Sequence, residues 1–288
     1  MIIVMTGASS GIGHGAAELL LAGGNRVVGG ARGSGLPLGV EPLRLDLASL
    51  ASVSAFVDVC PAKFDALVLN AGIQFQSIDQ RTVDGYETTF AVNHLAHYLA
   101  ARLLLPRLSE GGRIVLTSSG THDPAEKTMV PAPRHAEACL LADPETDPAL
   151  DKSPRIAGFR AYSTSKLCNL MTARSLAELP EIAARKISVH AYDPGFIPET
   201  GLKRGAPWAM QLVAGLLGVL PPLKIANRMA DGAAGLAGLA DGSITSDRVY
   251  MSLRRAKVTW PDPSALSRDD AACAKLWTDS AELVGLPA

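Results

Sequence analysis

The stretch "IIVMTGASSGIG" (2–13) joins an apolar run to a glycine-rich turn that opens a helical pattern. The apolar run is typical of a buried strand, and residues 12–22 carry apolar side chains on one side of a helix. Gly7, Gly11 and Gly13 lie in the turn. Glycine permits a tight turn and lets the backbone approach a bound group at a helix N-terminus. The stretch therefore predicts the first strand, turn and helix of an α/β sheet.

The same alternation of apolar runs and helical patterns continues through the rest of the chain. Further strands are expected at 26–31, 42–45, 65–70, 113–118, 186–192 and 247–252. Further helices are expected at 49–59, 84–107, 160–179 and 269–284. Apolar strands that alternate with helices predict a parallel sheet covered on both faces. We expect residues 1–288 to form one Rossmann-like domain, an α/β doubly wound parallel sheet of about seven strands.

Three segments depart from this alternation. After the second strand, "RGSGLPLGVE" (32–41) offers a Gly/Pro loop where a parallel crossover usually has a helix, and such a short loop would leave the neighbouring pocket open. Residues 120–158 carry scattered prolines and form a long loop insertion, which is usually a functional feature. The apolar stretch 207–225 is broken by two prolines and is short for a membrane span. We interpret it as part of a helical substrate lid at 200–230, with a peripheral membrane contact as the less favoured alternative.

The composition argues against several classes of protein. Lys plus Arg number 27 and Asp plus Glu number 28, so the net charge of −1 favours neither nucleic acid nor an anionic membrane as the main partner. The 4 cysteines and 6 histidines show neither the spacing of metal ligands nor a disulfide framework, so no bound metal is expected. The sequence starts directly in a strand, without room for a signal peptide, which predicts a cytoplasmic protein.

The ends of the strands indicate a dinucleotide. A glycine turn at a helix N-terminus suits a pyrophosphate. After the second strand, Ala31 is followed by Arg32, and a guanidinium suits the 2′-phosphate of NADP(H). The alternative is that Arg32 is an ordinary solvated loop residue. Cofactor-binding residues are expected in the turn and after the second, third and fourth strands: Gly7, Ser9, Ser10, Gly11, Ile12, Gly13, Arg32, Asp46, Leu47, Asn70, Ala71 and Gly72.

The stretch "AYSTSK" (161–166) places Tyr162 and Lys166 four positions apart, on one face of the predicted helix. A free phenol has a pKa of about 10, too high for efficient proton exchange near neutral pH. A nearby positive charge lowers that pKa and makes the phenol a usable general acid or base. The same spacing also arises by chance on half-exposed helices, so the interpretation depends on the remaining motifs.

Those motifs occur in a fixed order: "TGASSGIG", "NAG" (70–72), Asn93 in "VNHLAHY", Ser119 in "IVLTSS", Tyr162 and Lys166 in "YSTSK", and Pro194–Gly195. With them the chain resembles the short-chain dehydrogenase/reductase family. The stretches "YSTSKLCNLM", "DPGFIPETGL" and "AELVGL" are similar to light-dependent protochlorophyllide oxidoreductases, whose helix between the second and third strands is absent here. The stretches "NHLAHY" and "SKLCN" are similar to retinol-dehydrogenase-like members.

The resemblance implies a catalytic group of Asn93, Ser119, Tyr162 and Lys166. Lys166 would lower the pKa of Tyr162 and bind the nicotinamide-ribose hydroxyls. Tyr162 would donate a proton to the substrate oxygen as hydride arrives, or remove it in the opposite direction. Ser119 would hydrogen-bond the same oxygen, with Ser118 as the neighbouring alternative. Asn93 would hold a water that links Lys166 to solvent.

The segment after the sixth strand would hold the carboxamide of the cofactor through Pro194, Gly195 and Ile197. Thr200 is the candidate for the threonine contact to the cofactor that is common in the family. In the insertion, His122 and Asp123 could touch substrate, although a loop histidine is more often structural.

The resulting expectation is an NADPH-dependent oxidoreductase that transfers hydride to a small lipophilic ketone or aldehyde and reverses this with the alcohol. One alternative is light-dependent or related C=C reduction in a tetrapyrrole. Another is a regulatory protein that binds NADP(H) without turnover. The resemblance also leaves room for a homo-oligomer.

Overall fold

Eight strands form one sheet in the computed structural model, which describes residues 1–198 and 226–287. They are β1 (Ile2–Thr6), β2 (Arg26–Ala31), β3 (Glu41–Arg44), β4 (Phe64–Leu69), β5 (Leu108–Thr117), β6 (Ser188–Asp193), β7 (Tyr250–Arg254) and β8 (Lys257–Thr259). Their order is β3-β2-β1-β4-β5-β6-β7-β8. All neighbours run parallel except β7 and β8. The expected doubly wound parallel sheet is therefore confirmed.

Helices cover both faces of this sheet. They are α1 (Gly11–Ala22), α2 (Leu50–Val59), α3 (Thr88–Phe90), α4 (Ala96–Leu104), α5 (Ala138–Ala142), α6 (Pro154–Ala177), α7 (Pro180–Ala184), α8 (Met229–Asp241) and α9 (Asp270–Leu283). Apolar side chains of α1 and α8 form a core on one face. Those of α2, α4 and α6 form a core on the other face. The predicted lid lies mostly outside the described residues, and its apolar stretch 207–225 lies wholly outside them.

The strand order reverses at β1, which pairs with β2 on one side and with β4 on the other. At such a switch point the connections leave in opposite directions and open a crevice at the carboxyl ends of the strands. The glycine turn follows β1, and residues 70–72 follow β4. The fold therefore brings the two predicted cofactor segments to the same crevice.

The β2–β3 connection contains no helix, as expected, yet β2 and β3 run parallel. Leu36 and Val40 of the connection lie against β2, where a Cβ on Gly29 would come within 2.7 Å of Val40 and 3.1 Å of Leu36. Gly35, with φ of 109°, brings the loop to the glycine turn. A Cβ placed on Gly35 would lie 3.2 Å from the carbonyl oxygen of Ser9. The loop therefore touches the glycine turn at Gly35, while Ser9, Ser10 and Arg32 beside it are exposed, and an open pocket stays a prediction.

Several element bounds differ from the predicted ones. β8 was not predicted, since three residues at a sheet edge carry too little periodicity. The helix predicted at 160–179 begins six residues earlier, at Pro154, because proline is well accommodated in the first turn of a helix. The helix predicted at 84–107 begins only at Thr88 and is interrupted by a π-helical turn, Ala91–Leu95.

The insertion predicted at 120–158 is ordered by short elements and ion pairs. It contains α5 and 3₁₀ turns at Gly120–His122, Pro124–Glu126 and Pro144–Thr146. Glu126 binds Arg254 of β7 at 2.6 Å, and Asp151 binds Arg160 of α6 at 2.7 Å. The hydrogen bond from Arg160 lowers the pKa of Asp151. These contacts hold the insertion against the strand and helix that border the crevice.

We predict that Gly158→Ala destabilises the protein. In an exposed helix this change would stabilise by roughly 0.5–1 kcal/mol. Here a Cβ on Gly158 would lie 2.6 Å from Phe75 O and from Ser77 N, so α6 must move away from this backbone. We expect urea unfolding to show a loss of about 1–3 kcal/mol in the free energy of unfolding. Unchanged or increased stability would show that α6 and residues 75–77 are not in this close contact.

Candidate active site

Asn93 lies in the π-helical turn Ala91–Leu95, where all five residues are buried. Its Oδ1 accepts a hydrogen bond from Ile73 N at 2.8 Å. Its Nδ2 donates to Ile73 O at 2.9 Å and to Ser165 Oγ at 3.0 Å. A π turn adds a residue to the helix and is frequent at functional sites. Here the π turn places the Asn93 side chain between two parts of the site, where it bonds Ile73 after β4 and Ser165 of helix α6.

Lys166 of α6 is buried beside Asn93. Its Nζ donates to Thr117 O at 3.1 Å. A Cβ on Gly72 would lie 3.2 Å from this Nζ and 3.6 Å from Asn93 Oδ1, so these three predicted residues meet. Burial penalises the ammonium and lowers the pKa of Lys166 to about 8. Within residues 1–198 and 226–287 this is the one acceptor bound, so with respect to these residues two of the three ammonium hydrogens are left for a ligand.

Tyr162 is 8% exposed and lies one helical turn before Lys166. Burial is the main reason that its pKa rises to about 12, with a hydrogen bond to Ser119 lowering it and the charge of Asp193 raising it further. Lys166 Nζ lies over the phenol ring, 5.8 Å from the ring centroid. The expected lowering of this pKa is not found, because burial of the phenol outweighs the other causes and Lys166 is not among them. Tyr162 therefore holds its proton at neutral pH.

The two adjacent serines have different surroundings. Ser118 is 1% exposed, and its hydroxyl donates to Lys166 O at 2.8 Å. It therefore fastens α6 to the end of β5. Ser119 is half-buried, and its hydroxyl is the one that meets Tyr162.

His122 supports the turn that carries Ser119. Its Nδ1 lies 2.7 Å from Ser119 O, and its Nε2 accepts from Ser264 N at 3.4 Å. The ring is 2% exposed, and both of its nitrogens contact backbone groups of the protein. Asp123 caps the next turn by accepting from Ala125 N at 2.9 Å. Both contacts favour the structural interpretation of these two residues.

The glycine turn packs against the segment after β4. Gly7 has φ of 73°, and a Cβ there would lie 2.7 Å from Ala71 N. A Cβ on Gly13 would lie 2.2 Å from Gly7 O and 2.4 Å from Asn70 Nδ2. Gly11 has φ of 58°, and among the described residues none lies within 4 Å of such a Cβ. Two glycines thus close the turn onto its neighbour, and the third leaves open space at the N-terminus of α1.

Thr6 ties the strands together below this turn and was missed at the sequence level. Its Oγ1 accepts from Asn70 N at 3.0 Å and from Ala71 N at 3.1 Å. Asn70 Oδ1 in turn accepts from Thr117 Oγ1 at 3.1 Å. The carboxyl ends of β1, β4 and β5 are therefore joined by hydrogen bonds. A threonine directly before the first glycine was the available signal.

The predicted residues on the adenosine side have varied surroundings. Ser9, Ser10 and Arg32 are exposed, and within the described ranges Arg32 has no ion-pair partner. Asp46 accepts from Ala48 N at 3.1 Å and is half-buried. Leu47 packs against the core beneath α2.

The turn after β6 is held by a buried acid that was also missed. Asp193, 2% exposed, accepts from Gly195 N at 2.8 Å. Asn227 donates to Pro194 O at 2.8 Å. A Cβ on Gly232 of α8 would lie 2.5 Å from Ile197 Cδ1 and 3.4 Å from Ile12 Cγ1, so both predicted isoleucines reach α8. Thr200 lies outside the described residues.

These features fit a nicotinamide dinucleotide. The open space at Gly11 suits a phosphate at the N-terminus of α1, because backbone N–H groups and the helix dipole favour an anion there. The two spare hydrogens of the buried Lys166 suit ribose hydroxyls. Tyr162 and Ser119 stand beside them with a proton to give. The fold and the site thus define a dinucleotide-binding α/β enzyme of the oxidoreductase class.

Comparisons with known proteins agree with this class. A family model described as short chain dehydrogenase matches residues 1–130. A Streptomyces sp. (strain C5) protein named as a daunorubicin C-13 ketoreductase is 32% identical, and the match covers 98% of this chain and 92% of that protein. Protochlorophyllide reductase of Chlamydomonas reinhardtii is 30% identical, over 99% of this chain and 78% of that protein. The chain belongs to the short chain dehydrogenase family and is an oxidoreductase of that family.

A solved structure of a short chain dehydrogenase from Burkholderia cenocepacia J2315, in complex with NADP, has a TM-score of 0.57 and 25% identity. The match covers 83% of this chain and 89% of that chain. This likeness supports binding of a nicotinamide cofactor by the present chain. Separately, in the described parts of the chain no helix combines the length and apolar character needed to cross a membrane.

We predict that Lys166→Met stabilises the fold while abolishing turnover. A lysine whose pKa falls from 10.5 to about 8 on folding costs stability while it is charged. Removing this charge should raise the free energy of unfolding at pH 7 by roughly 1–3 kcal/mol. The wild type, but not the variant, should gain stability as the pH rises from 8 to 10.5, because only the unfolded chain then binds this proton.

Urea unfolding at a series of pH values tests this expectation. Lys152→Met is the matched control, since Lys152 is exposed, and it should change the stability little. If Lys166→Met were less stable than the wild type at pH 7, the bond to Thr117 would outweigh the cost of burying the charge.

Proposed function

We propose that the chain reduces a lipophilic ketone or aldehyde with NADPH and catalyses the reverse oxidation of the alcohol. The observation that carries the proposal is the placement of the Tyr162 phenol beside the Ser119 hydroxyl, which lowers its pKa, and one helical turn from the buried Lys166. A phenol and a hydroxyl side by side can bind one carbonyl oxygen, and one of them can transfer a proton to it.

In the proposed reaction each residue has a separate task. When bound, the dihydronicotinamide supplies a hydride to the carbonyl carbon. Tyr162 donates its proton to the carbonyl oxygen, and Ser119 donates a hydrogen bond to the same oxygen. Burial raises the pKa of Tyr162 to about 12, so the phenol carries at neutral pH the proton that the reduction requires. Lys166 binds ribose hydroxyls, and the Asn93 turn holds the water through which the proton of Tyr162 is replaced.

The preference for NADPH rests on Arg32. It follows β2 directly, is exposed, and has its guanidinium available for a phosphate. The residue before it is Ala31, so no carboxylate stands at the end of β2 to bind an unphosphorylated ribose and repel a phosphate. Gly35 brings the following loop against Ser9, so the loop that begins at Arg32 adjoins the glycine turn.

The lipophilic substrate class is supported by sequence and by relatives. The segment 207–225 is largely apolar in sequence, and in this family resemblance it corresponds to the lid. The two relatives are named for daunorubicin and protochlorophyllide, both large ring systems. Cytoplasmic location and a homo-oligomeric state stay predictions.

A second candidate is reduction of a C=C bond in a tetrapyrrole. It is favoured by the match to protochlorophyllide reductase over 99% of the chain. The same Tyr162 would then protonate a ring carbon. A regulatory protein without turnover is less favoured, because it would have no use for a proton donor and a buried ammonium placed together.

We predict that purified protein oxidises NADPH in the dark with lipophilic ketones or aldehydes, followed by nicotinamide absorbance. Tyr162→Phe removes the proton donor and should lower kcat by about 100- to 10,000-fold. NADPH binding with turnover only on illumination with protochlorophyllide would favour the second candidate. Binding of NADPH without any turnover would contradict both catalytic proposals.

We also predict that Arg32→Ala changes cofactor choice. Loss of the guanidinium should weaken NADPH binding about tenfold or more, since a charge-assisted hydrogen bond is lost, and should leave NADH binding nearly unchanged. Arg268→Ala is the matched control, because Arg268 is also exposed but lies beside α9. Isothermal titration with both cofactors measures the change. An equal loss for NADPH and NADH would argue against a phosphate contact.

A further inference from the structure

His97 occupies a position that the proposed mechanism does not use. It lies in α4, one turn after Asn93, and is 0% exposed. Its Nε2 lies 3.0 Å from Thr6 Oγ1, and its Nδ1 lies 3.1 Å from Asn93 O. One ring therefore touches both the residue that holds the segment after β4 and the backbone of the Asn93 turn.

The hydrogen bonds around Thr6 determine which nitrogen carries the proton. Thr6 Oγ1 already accepts from Asn70 N and Ala71 N. Its own hydrogen is then free to point at His97 Nε2, which must be the unprotonated nitrogen. Nδ1 carries the hydrogen and donates to Asn93 O, which can only accept.

The ring is also held neutral. Burial is the main cause that lowers the pKa of His97 to about 3, and the charge of Lys166 lowers it further. A neutral imidazole with one donor and one acceptor matches its two partners. A cation would place a second N–H against the hydrogen of Thr6.

We infer that His97, as the Nδ1–H tautomer, is a positioning residue that couples the cofactor-side segment at 70–72 to the Asn93 turn. Through Thr6 it orders the backbone against which the glycine turn packs. Through Asn93 O it sets the turn that adjoins Lys166. The effect on turnover rests on the proposed function, whereas the tautomer and the effect on cofactor binding do not.

The neighbouring His94 provides a matched comparison. It lies in the same helical region, is 1% exposed, and burial likewise lowers its pKa to about 3. Its Nε2 pairs with Ser280 Oγ of α9 at 2.9 Å, and its ring stacks on Phe90. Its side chain therefore ties the helix to α9 and not to Thr6. A general effect of replacing a buried histidine should appear at both positions.

The first test is the tautomer in the wild-type protein. Long-range ¹H–¹⁵N correlation spectra distinguish protonated from unprotonated ring nitrogens. We expect His97 to show a protonated Nδ1 and an unprotonated Nε2 throughout pH 6 to 9. A protonated Nε2, or titration of the ring in this range, would overturn the inference even if no variant folds.

The second test separates the two contacts with paired substitutions. Asparagine places its amide near the position of Nδ1, and glutamine places its amide near that of Nε2. His97→Asn should keep the bond to Asn93 O and lose the one to Thr6. We expect its Kd for NADPH to rise about three- to tenfold, with kcat changed less. His97→Gln should give the reverse pattern, with a lower kcat, a shifted pH profile and a nearly unchanged Kd.

His94→Asn and His94→Gln should lower the Tm without separating Kd from kcat. The inference fails if the His97 variants fold and leave both the Kd for NADPH and kcat unchanged. It fails equally if they change Kd and kcat together, as the His94 variants do, because His97 would then only fill space. If the wild type binds NADPH but reduces no carbonyl, the proposed function fails, and the tautomer and the Kd of His97→Asn still decide the role of His97.

Discussion

The burial of the Lys166 ammonium is the constraint on which the site depends. A charged group out of water must be surrounded by acceptors or lose its proton, and here one bound acceptor and a pKa of about 8 reflect both responses. A side chain on Gly72 would crowd this ammonium, since its Cβ would lie 3.2 Å from Lys166 Nζ and 3.6 Å from Asn93 Oδ1. The π turn supplies the Asn93 side chain, and Thr117 supplies the carbonyl. The carboxyl ends of β4 and β5 and helix α6 therefore meet around this one ammonium.

The same burial separates the acid–base properties of neighbouring groups. Tyr162 is pushed towards the protonated form and Lys166 towards the neutral form, so the phenol retains its proton while the amine exchanges protons near neutral pH. Asp193 contributes to the first effect and also fixes the turn at Gly195. The phenol therefore enters the reaction protonated, beside an amine that exchanges its proton nearer neutral pH. This arrangement costs stability, which is usual where a protein places charged groups for chemistry.

Much of the fold could be predicted from the sequence because local patterns and topology agree. The apolar run before Gly7 is typical of a buried strand, and Ser49 caps α2 by accepting from Ser52 N, one residue before the helix begins. The absence of a helix after β2 was also predictable, since residues 32–41 contain too few apolar positions for one. β8 and the start of α6 were not, because a short edge strand and a proline in the first turn leave weak signals in sequence.

The site was predictable as a group of residues but not as an arrangement. The motifs point to Tyr162 and Lys166, and the structure places both beside Asn93 and Ser119. The pKa of Tyr162 is raised because the phenol is buried, and the spacing of Tyr162 and Lys166 in the sequence does not reveal burial. Thr6 and His97 were missed because their roles arise from contacts between strands and helices distant in sequence. The π turn was missed because all of its residues are buried. In a helix buried on every side, hydrophobic periodicity does not show where one residue is added.

The central claim is that this chain transfers hydride to a carbonyl carbon and that Tyr162 supplies the proton. The most direct measurement is single turnover with NADPH carrying deuterium at C4, in the dark, with a lipophilic ketone and mass analysis of the alcohol. The account predicts deuterium on the carbinol carbon, from one face of the cofactor only, with formation of the alcohol lost in Tyr162→Phe. Alcohol without deuterium, or equal product formation by Tyr162→Phe, would contradict it.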